Sequence, residues 1–129
     1  MSYSKKWLLL SMLAMVVVLT MDLQVLHAQT KLDEMSLERW AKMREVERYQ
    51  MNIAEKYYKE KKFDVAMSEY EKYLSLYEVS DAASFAQLKW SLCLNQLRKQ
   101  NTAIKEGFQS VIDYWPESAD AAKASYLIG

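Results

Sequence analysis

The sequence has few of the residues that interrupt helices and few of those that hold metals. Of its 129 residues, two are glycine, one is proline, one is cysteine and one is histidine. Glycine and proline are the strongest helix breakers, so their scarcity favours helices over strands and turns. Ala, Leu, Glu, Lys and Met, which are good helix formers, are frequent. The composition therefore predicts an all-α protein.

The sequence also lacks an excess of either charge. Seventeen basic and seventeen acidic residues give a formal net charge of +0 at pH 7. A nucleic-acid binding protein normally has a basic excess, which neutralises phosphates. We therefore expect no nucleic-acid partner.

The scarcity of cysteine, histidine and glycine argues against catalysis. Zinc sites take several Cys or His ligands, and Ser-His-Asp or Cys-His nucleophilic arrangements need a histidine. The one histidine, His27, lies in the segment 1–28 that is predicted below to be removed. The two glycines, Gly107 and Gly129, are too far apart to form a phosphate-binding loop. Carboxylates are numerous, but they stand three or four residues from lysines, as Glu55 does from Lys59, which is typical of a solvated helix surface. The sequence thus predicts no enzyme, no cofactor and no metal site.

Cys93 is the only cysteine, so it cannot form a disulfide within the chain. Free cysteine is among the most buried residue types. We expect Cys93 to pack as a small apolar residue within a helix. The alternative is a disulfide bond to another chain.

The first residues form a separate segment. Two lysines precede a mostly apolar run over 7–21, and Asp22 ends that run. The run is shorter than the roughly 20 residues that span a bilayer as a helix. A basic start, a short apolar core and the small residue Ala28 predict a secretory signal peptide over 1–28. The remaining chain, 29–129, would be periplasmic or secreted, and the alternative is an uncleaved membrane anchor formed by residues 7–21.

Beyond this segment, apolar residues recur at steps of three and four, which is helical spacing. Short polar breaks separate five predicted helices: a long first helix over 36–62, then 64–77, 82–99, about 103–114, and a fifth after Ser118. The candidate N-caps are Asp33 or Ser36, Asp64, Ser80 or Asp81, Asn101 or Thr102, and Ser118. Because the connections are short, successive helices are expected to lie antiparallel as αα-hairpins.

Small residues recur within these helices at a fixed spacing. Ala54 and Ala66 are twelve residues apart, and so are Ser91 and Ala103, each thirty-seven residues after its counterpart. Gly129 follows Ser91 after thirty-eight residues, and a bulky residue precedes the first small residue of each unit. Small residues allow two helix backbones to approach closely. A period of this length is typical of a repeat array.

This pattern resembles the tetratricopeptide repeat, a unit of two antiparallel helices. The residues that match in the first unit are Ile53, Ala54, Tyr57, Phe63, Ala66 and Tyr70, and those in the second are Trp90, Ser91, Leu94 and Ala103. In the second unit, Phe108 and Pro116 each come one residue late, which predicts a one-residue insertion in the fourth helix. A third unit is only begun, over 118–129.

The longer spacing and the signal peptide are similar to the repeat proteins of the bacterial periplasm. These include the outer-membrane assembly lipoproteins and the coordinator proteins of the Tol-Pal envelope system. No cysteine stands near residue 28, so the lipoprotein signal is absent. The resemblance implies a location in the periplasm or the cell envelope.

For the fold, the resemblance implies an αα-hairpin repeat solenoid over 29–129, with a long first helix, two helix pairs and the start of a third unit. The first helices of the units would line a concave peptide-binding groove. The groove-facing residues would be Arg48, Met51, Glu55, Tyr58, Lys59, Phe85, Leu88, Leu92, Asn95 and Gln96. Two alternatives remain open: these residues pack within the array, or the long first helix covers those of the second unit.

The predicted function is an exported, non-enzymatic scaffold that binds a protein or peptide partner. One alternative is a structural module that self-associates as a homo-oligomer through its repeat ends. Another is that the chain is the front part of a longer envelope protein, with a catalytic or transport domain downstream. A membrane is expected as a partner only through the segment 7–21, if that segment is not cleaved.

Overall fold

The computed structural model of the chain describes residues 5–17 and 32–129. The described residues form helices, turns and short extended segments, without a β-strand. The all-α class predicted from the composition is therefore confirmed. The chain divides into two units, Met1–Glu34 and Met35–Gly129.

In the first unit, residues 5–17 form helix α1. Among the described residues, no helix is both long enough and apolar enough to cross a bilayer. The expected cleavage site at Ala28 and the end of the apolar run, residues 18–21, lie outside the described residues. The signal peptide and the alternative membrane anchor both stay predictions.

The second unit is a series of packed helices. In chain order they are α2 Leu37–Lys42, α3 Glu45–Lys59, α4 Phe63–Leu76, α5 Ala83–Gln96, α6 Gln100–Thr102, a π-helix Ala103–Phe108, α7 Gln109–Tyr114 and α8 Ala119–Ile128. The segments α6, π-helix and α7 follow one another without a break and form one helical rod. Successive elements pack in sequence: α3 on α4, α4 on α5, α5 on the π-helix, and α7 on α8.

The prediction of one long helix over 36–62 is wrong, because the chain breaks between α2 and α3. Met43 and Arg44 have extended backbones, with ψ of 144° and 156°. The side chain of Glu47 accepts a hydrogen bond of 2.7 Å from the backbone N–H of Arg44. A glutamate three residues into a helix that accepts from the backbone of the preceding residue is a helix-start motif. Met43, which stands at the break, is buried in the core.

Two of the predicted N-caps are confirmed. Ser36 accepts from the backbone N–H of Arg39, and Ser118 accepts from that of Ala121. The other predicted caps are wrong: α4, α5 and α6 begin after Lys62, Ala82 and Lys99, none of which makes a side-chain capping hydrogen bond. In α4 and α6, the first helical hydrogen bonds run from Ala66 to the carbonyl of Lys62 and from Ala103 to that of Lys99, so both helices start before the predicted polar cap.

The turns that follow α3 and α5 have the same backbone geometry. Lys61 and Arg98 adopt left-handed conformations with φ of 60° and 62°. The N–H groups of the next residues, Lys62 and Lys99, donate to carbonyls five residues earlier, at 2.9 Å and 3.0 Å. This is the Schellman motif, which satisfies the free carbonyls at a helix C-terminus. The two turns are thirty-seven residues apart in the chain.

The ends of α4 and α7 are one residue further apart in the chain than the two Schellman turns are. Tyr77 donates its backbone N–H to Tyr73, and Trp115 donates to Val111, so these helix ends are thirty-eight residues apart. Between the two sets of positions lies the π-helix Ala103–Phe108. A π-helical turn accommodates one extra residue within an α-helix. The π-helix thus lies in the helix for which the resemblance predicted a one-residue insertion.

The core consists of two neighbouring clusters of side chains. One contains Met51, Tyr70 and Phe85, and the other contains Leu88 and Val111. Helix α5 contributes to both clusters and is buried on nearly all sides along its length. Each of these large side chains stabilises the fold by about 1.5–3 kcal/mol through burial. The four small residues that mark the sequence period, Ala54, Ala66, Ser91 and Ala103, are fully buried.

Candidate functional site

Four of the residues predicted to face a groove lie in the core. Met51, Phe85 and Leu88 are 0% exposed, and Leu92 is buried as well. A partner therefore has no access to these side chains in this structure. The sequence analysis left open that the predicted groove residues pack within the array, and these four residues do so.

The chain before α3 packs against one of these core clusters. Met35 and Trp40 contact the cluster that contains Met51 and Phe85, and Met43 belongs to it. The alternative that the first helix covers the residues of the second unit is not established by this packing, because Leu88 and Leu92 belong to the other cluster.

The α2 segment is also held by polar contacts. Arg48, another predicted groove residue, donates to the carbonyl of Ala41 in α2 at 3.3 Å. The guanidinium group of Arg39 lies 2.7 Å from a carboxylate oxygen of Asp120 in α8. It also donates to the hydroxyl of Ser84 at 2.9 Å, and that hydroxyl donates to Asp120 at 2.7 Å. Asp120 is 0% exposed, so α2, α5 and α8 meet at a buried ion pair.

Sequence reasoning missed this ion pair. Arg39 and Asp120 each stand on a helix with an ordinary pattern of charged residues, and they are far apart in the chain. Their pairing depends on the fold, because it requires α2 to lie at the N-terminal ends of two later helices. No local signal in the sequence identifies it.

A second buried polar cluster joins α3, α4 and α5. Lys89 is 1% exposed, and its Nζ lies 3.4 Å from Oε1 of Glu55 and 3.3 Å from the centre of the Tyr58 ring. The hydroxyl of Tyr70 donates to the same Glu55 oxygen at 2.5 Å. Burial, and then the negative charge of Glu55, raise the pKa of Tyr70 far above its ordinary value. Glu55 and Tyr58, which were predicted to face a partner, therefore interact with Lys89 within the fold.

The three remaining predicted groove residues are exposed. Lys59 lies at the end of α3, and Asn95 and Gln96 lie at the end of α5. Lys59 and Gln96 stand at corresponding positions of α3 and α5, with α4 between these helices in the chain, but the apolar residues expected between them belong to the core. The predicted groove is therefore not assembled as one accessible surface.

Cys93 is buried in the core, as predicted. Burial raises the pKa of its thiol to about 12, although the positive charge of Lys89 opposes that rise. The thiol is therefore protonated at neutral pH. A protonated, buried thiol is a poor nucleophile, since the thiolate is the reactive form.

An open cleft lies at the C-terminal ends of α4 and α7. It has a volume of about 470 Å³ and is lined by Leu74, Glu78, Val79, Gln87, Ser110, Tyr114 and Trp115. Val79 is 94% exposed and Tyr114 is 76% exposed. The rings of Tyr114 and Trp115 are 6.0 Å apart in an edge-to-face arrangement. None of the residues predicted to face a groove lines this cleft.

The sequence offered a weak signal for the cleft. Val79 is an apolar residue within a polar interruption, and Tyr114-Trp115 directly precedes the proline that ends a helix. Isolated apolar residues at surfaces are common, so neither observation identified a site by itself. Their proximity results from the fold, which brings residues at the ends of α4 and α7 to one cleft.

A second cavity, of about 400 Å³, lies between α2 and the start of α8. Its lining is polar and has both charge signs, with Glu38, Arg39, Lys42, Asp81 and Glu117 among its residues. Arg39 and Asp81 already bind each other there, at 3.1 Å. This cavity therefore adjoins the ion-pair network that attaches α2.

Within the described part of the chain, no group of three or more His, Cys, Asp or Glu side chains is placed to hold a metal ion. The only histidine, His27, lies outside that part. Comparison of the chain with family models, with curated proteins and with solved structures gives no match in any of the three. The resemblance to the tetratricopeptide repeat thus stays a prediction from the sequence.

Proposed function

We propose that this chain is an exported, non-enzymatic scaffold of the tetratricopeptide-repeat type that binds another protein. The repeat assignment is supported by the two Schellman turns at Lys61 and Arg98, and by the buried small residues at the same period. Export is supported by the basic and apolar pattern of residues 1–28. The proposed location is the periplasm or the exterior of the cell.

The observation on which the binding function depends is the cleft between α4 and α7. Its exposed side chains, Val79 and Tyr114, stand next to helices whose other faces are buried in the core. Such a site is largely formed before a partner arrives, so binding costs little conformational entropy. Tyrosine and tryptophan are enriched at the centres of protein interfaces, because each combines a large apolar surface with a polar group.

The proposal is tested by selecting a phage-displayed library of random peptides on the purified full-length chain. We expect enriched peptides whose binding is lost in the Val79→Ser/Tyr114→Ala variant. The matched control is Tyr126→Ala, which removes another exposed tyrosine, on α8, that does not line the cleft. If no peptide is enriched, or if the cleft variant binds the enriched peptides as well as the control does, the proposal is wrong.

Export is tested separately by mass spectrometry of the chain expressed with its own N-terminus. We expect the exported protein to have lost residues through about Ala28. Recovery of the intact chain in the membrane fraction would instead support the uncleaved anchor.

A further inference from the structure

We propose that the cleft between α4 and α7 binds a short partner segment in which a large apolar side chain stands beside a Lys or Arg. This inference rests on the proposed binding function and specifies the chemistry of the partner. It depends on three properties of the cleft: its helix ends, its charged residue and its aromatic rings.

The first property is the convergence of two helix C-termini. Helix α4 ends at Leu76 and α7 ends at Tyr114, and residues at both ends line the cleft. A helix C-terminus has a partial negative charge, because its last carbonyl groups have no partner within the helix. Neither α4 nor α7 has a basic residue in its last turn to balance that charge. The guanidinium group of Arg44 lies 5.7 Å from the centre of the ring of Tyr77, the residue that caps α4, so it offsets part of the negative charge at that end. The rim of the cleft is therefore electronegative, and less so at the end of α4 than at the end of α7.

The second property is the charge of the lining itself. Glu78 is exposed and follows directly on the end of α4, and the described lining of the cleft includes no lysine or arginine. A carboxylate and two helix ends together favour a cation on the partner and disfavour an acidic segment. The electrostatic contribution should weaken as salt is added, because the site is open to solvent.

The third property is the aromatic and apolar surface between these charges. Tyr114 and Trp115 present ring surfaces beside Leu74 and Val79. Such a surface accommodates an apolar side chain, and the ring faces attract a cation at close range. Gln87 and Ser110 at the same site can exchange hydrogen bonds with a peptide backbone. A basic and apolar peptide segment fits these groups better than a purely charged or purely apolar one.

The test uses three capped heptapeptides of equal length, each with a neutral fluorophore. The first is Gly-Ser-Lys-Leu-Arg-Ser-Gly, the second replaces Lys and Arg by Glu, and the third replaces Leu by Ser. Fluorescence anisotropy is measured with the full-length chain and with Glu78→Lys, Tyr114→Ala and Glu45→Lys. Glu45→Lys makes the same charge change on the exposed first turn of α3, outside the cleft.

We expect the first peptide to bind at least tenfold more tightly than the other two. Glu78→Lys and Tyr114→Ala should each weaken it tenfold or more, whereas Glu45→Lys should change it less than threefold. Added salt should weaken the wild-type complex. These results together would support the inference.

Other outcomes overturn it and separate it from the proposed function. If the acidic peptide binds as tightly as the basic one and Tyr114→Ala abolishes both, the cleft binds peptides without the expected charge preference. If no heptapeptide binds, but the peptides selected from the library lose their binding in the cleft variant, the cleft binds a partner that is not basic and apolar. The proposed scaffold function then stands. If the chain forms dimers in sedimentation experiments and Tyr114→Ala dissociates them, the occupant is a second copy of the chain.

Discussion

Gly107 of the π-helix faces Ser91 of α5 so closely that there is no space for a side chain. A Cβ atom at position 107 would lie 2.4 Å from Oγ of Ser91 and 2.7 Å from its Cβ. Both distances are well below a van der Waals contact. The inserted turn of the π-helix therefore depends on glycine at one side of this contact and on a small residue at the other.

Gly107→Ala should destabilise the fold, although alanine is normally favoured over glycine in a helix by about 0.5–1 kcal/mol. Overpacking of this kind costs about 1–3 kcal/mol. Urea denaturation gives the change in the free energy of unfolding. In the double variant Gly107→Ala/Ser91→Gly, we expect a smaller loss than the sum of the two single losses. If the two substitutions are simply additive, the close contact does not exist in solution.

The left-handed residues of the two turns provide a second test. An L-residue in this conformation costs about 1–2 kcal/mol, whereas glycine adopts it freely but loses more entropy on folding. Lys61→Gly and Arg98→Gly should therefore each stabilise the fold by roughly 0.5–1 kcal/mol. Lys56→Gly is the matched control, at an exposed position inside α3, and should cost about 1 kcal/mol. If Lys61→Gly is as destabilising as Lys56→Gly, the turn is not left-handed.

The regular features of the fold could be predicted because they depend on local or periodic signals. The spacing of Ala54 and Ser91 predicted successive helix pairs, and the late position of Phe108 predicted an extra residue in the helix that contains the π-helix. Ser118 could be identified as a cap because a capping hydroxyl acts within three residues of its own position. The backbone hydrogen bonds of the structure agree with each of these signals.

The features that could not be predicted depend on contacts between distant parts of the chain. The same periodicity that placed Phe85 and Leu88 on one helix face did not show whether partner or core would cover that face. The break at Met43 depends on a capping contact of Glu47, whose helix-start signal was masked by a continuous helical pattern. The cleft at Tyr114 exists only because residues at the ends of α4 and α7, which are separated in the chain by α5, come together.

Cys93 gives a prediction about alkaline pH. Burial raises the pKa of its thiol from 9.0 to about 12, so the folded state keeps a proton that the unfolded state releases. The stabilisation due to the protonated thiol is thus fully present below pH 9 and is lost as the pH rises from 9 toward 12. In that range the free energy of unfolding should fall more steeply for the wild type than for Cys93→Ala, by up to about 1.4 kcal/mol per pH unit.

Two measurements check this prediction. Urea melts at several pH values between 8 and 11 give the two slopes. Cys93→Ala also removes one of the lesser influences that raise the pKa of Tyr70. A thiol-specific reagent at pH 8 should modify Cys93 slowly in the folded chain and rapidly in urea. Equal slopes together with rapid modification of the folded chain would show that the thiol is accessible.

The last prediction concerns the ion pair that attaches α2. Replacing Arg39 by methionine leaves the buried carboxylate of Asp120 without its positive partner, and Ser84 alone does not balance its charge. Breaking a buried pair in this way costs about 3–5 kcal/mol, mainly because an uncompensated charge stays buried. The control is Lys42→Met, which removes an exposed ion pair with Glu38 on the same helix and should cost at most about 1 kcal/mol.

The double variant Arg39→Met/Asp120→Asn distinguishes the charge effect from the loss of packing. Because no uncompensated charge is then buried, it should recover much of the stability lost in Arg39→Met. Hydrogen exchange followed by mass spectrometry should show faster exchange in residues 35–43 of Arg39→Met, with little change in α4. If Arg39→Met is as stable as Lys42→Met and residues 35–43 stay equally protected, the ion pair does not attach α2. The apolar contacts of Met35, Trp40 and Met43 with the core would then be sufficient to hold that segment in place.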